Sequence, residues 1–269
     1  MKYIITARYG IMALIGDFIS RSGEYRREEL LILKTDRGTE VGAFLGVKEQ
    51  GSGGKDTETD GKVIGVASDD EIKRLKKIRS VTEKEEMEYC SRLIEDRELR
   101  MRLKYAEHIF GGERIIFYFT AEERVDFRGL VKDLADKYKT RIEMKQIGAR
   151  DEALLLEQCG ICGRDLCCRT ILQEIRPVSM KMAKSQTSTL DPAKVSGRCG
   201  RLKCCFRYEH DLYRELSKQL PDMGDIVKTR TDEGEVINVD VLGQKVTVSL
   251  GDGETAEISG RDIIEVIKK

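Results

Sequence analysis

The residues best suited to chemistry in this chain are cysteines, and they recur in a pattern. Cys162-Gly163-Arg164-Asp165-Leu166-Cys167-Cys168 and Cys199-Gly200-Arg201-Leu202-Lys203-Cys204-Cys205 both read CGRxxCC. Two copies in one chain imply two matched half-sites, as a pair of loops facing one another would provide. Thiolate sulfur is a soft ligand that selects zinc, copper(I) and iron–sulfur clusters. Gly163 and Gly200 let the backbone turn tightly and aim amide N–H groups at sulfur. Arg164 and Arg201 set positive charge beside thiolates, which lowers thiol pKa and offsets cluster charge.

Four thiolates hold a standard 4Fe–4S cluster. One pair from each motif, Cys162 with Cys167 and Cys199 with Cys204, supplies them. The C-x4-C spacing in each copy resembles part of the plant-type ferredoxin pattern and departs from the C-x2-C knuckle of zinc ribbons. Cys159 forms a C-x2-C with Cys162, which adds a further ligand and gives zinc some weight. Adjacent cysteines do not easily all reach one metal, so Cys168 or Cys205 can pack as small hydrophobes. Burial of the whole set without any metal is the plainer alternative. Cys90 stands alone on a charged stretch.

Other chemistry is harder to build. The chain has 2 histidines, His108 and His210. A histidine-based triad or a catalytic zinc site with several histidines is therefore difficult to assemble. His210 reads either as a surface residue or as a nitrogen ligand after Cys205. No P-loop, GxGxxG or HExxH pattern is present, and no residue is assigned a catalytic role. The stretch 159–214 holds 11 Lys and Arg against 5 Asp and Glu. Lys181, Lys184, Ser185 and Thr187, between the motifs, could touch RNA phosphate or an acidic partner. The plain reading of that segment is a solvated connector.

Three functions follow from these residues. The first is a regulatory subunit with a thiolate-bound cluster, the second a zinc-stapled RNA-binding module, and the third a thiol redox enzyme. The 269 residues carry 48 basic and 48 acidic side chains, a zero net charge that points to neither nucleic acid nor membrane. No run of about 18 apolar residues occurs, so no membrane insertion is expected. The first residues lack the apolar core of a secretory leader. The expected address is cytoplasmic, where thiols stay reduced. The 8 cysteines then point to metal or redox chemistry rather than a disulfide framework.

The elements that must position the cysteines read as a mixed α/β (α+β) chain in four segments. Residues 1–67 form a small antiparallel β unit that could close as a barrel, with strands at 2–8, 11–19, 29–35, 40–47 and 62–67. Asp36-Arg37-Gly38 turns a hairpin, and a polar Gly- and Ser-rich loop covers 50–61. Residues 68–150 form a central α/β domain with one sheet. A capping box at Thr82 and Glu85 starts a helix at 82–100, and Gly111-Gly112 joins strands at 102–110 and 113–120. Asp126 caps a helix at 127–138, and a strand follows at 140–147. The cluster-binding cysteine segment spans 151–220 and ends in a helix at 208–219. Residues 221–269 are rich in Val, Ile and Thr, with glycine turns at 234, 243, 251 and 253, and read as a small SH3-like β-barrel.

From Phe117 to Cys205 the sequence runs FYFTAEERVDFRGLVKDLADKYKTRIEMKQIGARDEA, then CGRDLCC, PVSMKMAKSQ and SGRCGRLKCC. This segment resembles the YaaT-like, or RicT-type, bacterial regulators with a polymerase-suppressor C-terminal domain. The likeness spans most of the chain and is weakest over the first 60 residues and the final β segment. It implies a non-enzymatic subunit that assembles with small helical proteins of the YlbF and YmcA types. That complex carries iron–sulfur clusters and acts as a specificity factor for ribonuclease Y in messenger RNA processing. It also implies effects on sporulation, biofilm formation and competence. The motif positions that carry over are Cys162, Cys167, Cys168, Cys199, Cys204 and Cys205, while Cys159 lies outside the family pattern.

Overall fold

A computed structural model describes residues 2–48, 59–156, 159–170, 172, 174–187, 189–230, 233–250 and 253–268. Most of the Gly- and Ser-rich loop expected at 50–61, and the turn at Gly251, lie outside the described residues. The chain forms two compact units, Met1–Gln173 and Glu174–Lys269. The boundary falls between the two cysteine motifs.

The first unit opens with β1 (Tyr3–Tyr9), β2 (Leu14–Ser20), β3 (Leu30–Thr35), β4 (Thr39–Lys48) and β5 (Gly61–Val66). They close into a barrel in the order β1-β2-β5-β3-β4. Alternation along β1 turns Ile5, Ala7 and Tyr9 inward, where they meet Phe18, Leu31, Leu33 and Phe44. The expected β3–β4 hairpin is present. Closure depends on a short parallel seam in which Phe18 and Ile19 pair with Gly61 and Lys62.

A helical segment follows as α1 (Asp69–Lys77), a π turn at Ile78–Thr82 and α2 (Glu83–Asp96). This corrects the helix start expected at Thr82, which is in helical backbone without a side-chain cap. The capping box lies at Ser68 and Glu71, ahead of an acidic first turn. The π turn has a packing reason. Ile72, Leu75 and Ile78 face the barrel beside Ile32 and Val41. Cys90 and Ile94 face the central sheet. The i→i+5 spacing of a π turn shifts the helix phase from one surface to the other.

That sheet contains β6 (Arg102–His108), β7 (Arg114–Thr120) and β8 (Arg141–Gln146), in that order. β6 and β7 form the Gly111-Gly112 hairpin, and β7 runs parallel to β8 through α3 (Arg128–Tyr138). Asp126 accepts the Arg128 N–H at 3.1 Å at the start of α3. The run Ile115-Ile116-Phe117-Tyr118-Phe119 is buried on both faces, as expected for a central strand covered on each side. Phe117 and Phe119 meet Leu130 and Leu134 of α3, whereas Ile116 and Tyr118 face Ile11 and Met12. After α4 (Ala149–Leu155) come the first cysteine motif and α5 (Cys167–Thr170).

The second unit holds α6 (Met180–Lys184), α7 (Pro192–Val195) and α8 (Cys205–Ser217). Ala183, Val195 and Phe206 form their shared core. Five strands follow: β9 (Ile226–Lys228), β10 (Glu233–Asp240), β11 (Lys245–Ser249), β12 (Thr255–Ser259) and β13 (Glu265–Ile267). They make an antiparallel sheet in the order β12-β11-β10-β9-β13, around Val227, Val236, Val246 and Val248. The closed barrel is the N-terminal sheet, while the C-terminal order has two ends. Among the described residues no helix is long and apolar enough to cross a membrane.

Candidate functional site

The two cysteine motifs adopt one backbone shape twice. In the first, a bridge pairs Cys159 with Asp165. The Gly160 N–H donates to the Arg164 carbonyl at 2.7 Å, and the Gly163 N–H donates to the Gly160 carbonyl at 3.0 Å. In the second, Ser196 pairs with Leu202. The Gly197 N–H reaches the Arg201 carbonyl at 2.7 Å, and the Gly200 N–H reaches the Gly197 carbonyl at 3.0 Å. Gly163 and Gly200 are left-handed, with φ of 77° and 73°. Only glycine takes that backbone at no steric cost.

The structural repeat is therefore longer than CGRxxCC. CGICGRDLCC at 159–168 matches SGRCGRLKCC at 196–205. Cys159 corresponds to Ser196, and Gly160 to Gly197. A glycine two positions before each leading cysteine was the signal in the sequence, and counting only CGRxxCC passes over it. A Cβ on Gly160 would stand 3.3 Å from Cys162 Sγ, a tight approach, whereas one on Gly197 would be in ordinary contact, 3.9 Å from Cys199 Sγ.

Each motif ends at a helix start. Cys167 and Cys168 open α5, Cys204 is the N-cap of α8, and Cys205 is its first residue. In the second unit the loop is tied down by Phe206 in the core and by the Lys203 N–H donating to the Val195 carbonyl at 3.0 Å. Buried Leu166 anchors the first loop. Cys159 and Cys162 are exposed, whereas Cys167, Cys168, Cys199, Cys204 and Cys205 are half-buried. Arg164 and Arg201 are exposed, and their carbonyls rather than their guanidinium groups close the loops. Cys90 is fully buried in α2, and burial pushes its thiol pKa up to about 12. It is a packing residue.

In donor chemistry the loops fit a soft metal, since each brings three motif thiols and the first adds Cys159. In position, no three His, Cys, Asp or Glu side chains gather as a metal-holding group among the described residues. His210 Nδ1 lies 3.5 Å from Ser185 Oγ. His108 is half-buried at the end of β6, with Nδ1 2.7 Å from Glu86 Oε1. Lys181 and Lys184 are exposed on α6. The Ser185 and Thr187 hydroxyls donate to the Met182 and Thr189 carbonyls.

Comparison with known proteins gives two family matches. Residues 61–147 match the PSP1 C-terminal conserved region, and residues 177–220 match the third domain of PSP1-like proteins. The chain is 37% identical over 250 residues to the stage 0 sporulation protein YaaT of Bacillus subtilis (strain 168), covering 93% of this chain and 90% of that protein. It is also 40% identical over 55 residues to an uncharacterized protein of Schizosaccharomyces pombe (strain 972), covering 20% of this chain and 7% of that protein. No solved structure matches.

Proposed function

The chain belongs to the family of the sporulation regulator YaaT, and from that premise we propose that it is a non-enzymatic, cytoplasmic regulatory subunit whose paired cysteine loops hold an iron–sulfur cluster. It assembles with small helical partners of the YlbF and YmcA types and directs messenger RNA processing by ribonuclease Y. The observation that carries the cluster reading is the doubled loop, with the same hydrogen bonds and left-handed glycine at both cysteine motifs.

Cys162 and Cys167 of the first motif and Cys199 and Cys204 of the second are the proposed ligands, with Cys159, Cys168 and Cys205 beside them. A bound cluster would supply a redox-sensitive staple. The chain's part is to hold thiols at fixed turns and at the starts of α5 and α8. Gly163 and Gly200 give the turn its shape, and Arg164 and Arg201 add charge around it. A second reading is favoured by one detail, the C-x2-C-G loop at 159–163, which suits zinc. In that case the chain is a zinc-stapled RNA-binding module.

Purification without oxygen, with iron, sulfide and zinc measured per chain alongside a visible spectrum, separates these readings. Iron with sulfide and broad absorption near about 400 nm supports the regulatory cluster subunit. Zinc alone supports the second reading. Neither metal in the chain co-purified with its helical partners would defeat both.

A further inference from the structure

Two local insertions in the first unit deliver cations to the same cleft. The first is a β-bulge. Leu103 pairs with Phe119 and Tyr105 with Tyr118, so Lys104 is an extra residue in β6. Leu103 packs on the helix side of the sheet and Tyr105 on the opposite side. The bulge therefore lets Lys104 line the cleft together with Tyr105. The second is the π turn at Ile78–Thr82, which carries Arg79. Its phase shift serves the packing of Ile78 and Cys90, but that does not account for a cation at this point. Bulges and π turns both concentrate at functional sites, where they re-aim side chains.

Arg79, Lys104 and Tyr105 line a cleft of about 500 Å³, with Glu152 of α4 and aliphatic walls from Ile11 and Leu155. Its size lies within the range of small-ligand sites. The Tyr105 hydroxyl is committed to Glu83 Oε2 at 2.9 Å, so the ring serves as a wall. Lys104 Nζ lies 2.6 Å from Glu152 Oε1. Among the described residues Arg79 has no carboxylate at ion-pair distance. The lining charges are Arg79 and Lys104 against Glu152, with the buried Glu83 carboxylate behind Tyr105 also acting on Arg79. That near-balance admits at most a single negative charge and not a polyphosphate.

We propose that this cleft binds a small organic monoanion, a carboxylate carried on an aliphatic body, with Arg79 and Lys104 as its anion contacts and Ile11 and Leu155 as its apolar walls. None of the residues that line it belongs to a cysteine motif, and its test needs no metal. Hexanoate is the probe, titrated against the full chain by saturation-transfer NMR, with hexan-1-ol and hexylamine as isosteric controls. Saturable hexanoate binding is expected. Arg79→Met and Lys104→Met should each weaken it about tenfold, about 1.4 kcal/mol, while Lys76→Met, outside the cleft, should leave it unchanged. Thermal unfolding of each variant establishes that it is folded. Arg79→Gln and Lys104→Gln repeat the test if a methionine variant is not. Absence of saturable binding, equal binding of hexan-1-ol, or undiminished binding in the folded Arg79 and Lys104 variants overturns the proposal.

Discussion

Arg37, in the turn between β3 and β4, is buried against Glu107 of β6, and this ion pair joins the barrel to the central sheet. Glu107 also accepts the Tyr118 hydroxyl at 2.7 Å and the Ile11 N–H at 2.8 Å. Glu40, likewise buried, lies 3.4 Å from Arg37 Nε. Removing the one guanidinium strands two buried carboxylates. Arg37→Met is expected to cost about 3–5 kcal/mol, as for breaking a buried pair from one side. Tyr118→Phe, which removes one hydrogen bond to a charged group, should cost about 1–3 kcal/mol. Urea unfolding of both variants measures this. A loss below 1 kcal/mol (about that of an exposed pair) for Arg37→Met would show that the network contributes little.

The His108–Glu86 pair gives the first unit a pH dependence near neutrality. The hydrogen bond to Glu86 holds the imidazole pKa above its ordinary value, against the opposing effect of burial. Glu83 adds to the rise and Arg74 opposes it. Because the folded value lies above the unfolded one, the stabilisation is fully present below about pH 6.5 and is lost as pH rises through the folded value. His108→Gln should lower stability in mild acid and flatten the decline across the neutral range. Unfolding curves at several pH values provide the check, and an unchanged slope in the variant contradicts this assignment.

Two glycines with positive φ should respond differently to alanine. At Gly61, with φ of 155°, a Cβ would lie 1.9 Å from the Lys34 carbonyl oxygen at the barrel seam. A backbone atom cannot move aside cheaply, so Gly61→Ala is expected to cost about 3 kcal/mol or more. At Gly163 a Cβ meets nothing within 4 Å. Only the left-handed backbone is penalised there, about 1–2 kcal/mol. Denaturation midpoints of the two variants rank the effects, and equal losses would refute the seam argument.

The sequence made much of this architecture legible because its signals are local. Alternation in β1, the Asp36-Arg37-Gly38 turn and Gly111-Gly112 each fix their own element. The π turn was hidden because Thr82 and Glu85 imitate a capping box. A helix start and a phase shift within a continuing helix differ only in what Ile78 and Cys90 touch. The Lys104 bulge is likewise a property of register against β7 and leaves no mark in composition. In the C-terminal sheet the strands could be read from Val and Ile patterning. Whether a sheet closes depends on pairing between its first and last strands, which patterning does not encode. At the site the cysteines were plain, whereas the equivalence of Cys159 and Ser196 needed the hydrogen bonds.

That equivalence sorts the cysteines by expected importance. The second loop keeps its hydrogen bonds with Ser196 in place of a cysteine, so a thiol at this position is not needed for the fold of the loop. Cys162 and Cys199 hold matching places in both copies, with sulfur over a glycine. Cys162→Ser and Cys199→Ser should each abolish metal retention and partner binding. Both should leave the β9–β13 sheet folded, since its core of Val227, Val236, Val246 and Val248 contains no motif residue. Cys159→Ser, which makes the first loop resemble the second, should retain more metal than Cys162→Ser. Metal per chain in anaerobically purified variants, with amide exchange reporting on the C-terminal sheet, tests the order. Unchanged metal in both Cys162→Ser and Cys199→Ser would remove these loops from the site. Loss in Cys159→Ser equal to that in Cys162→Ser would make Cys159 a required ligand and the two loops chemically unequal.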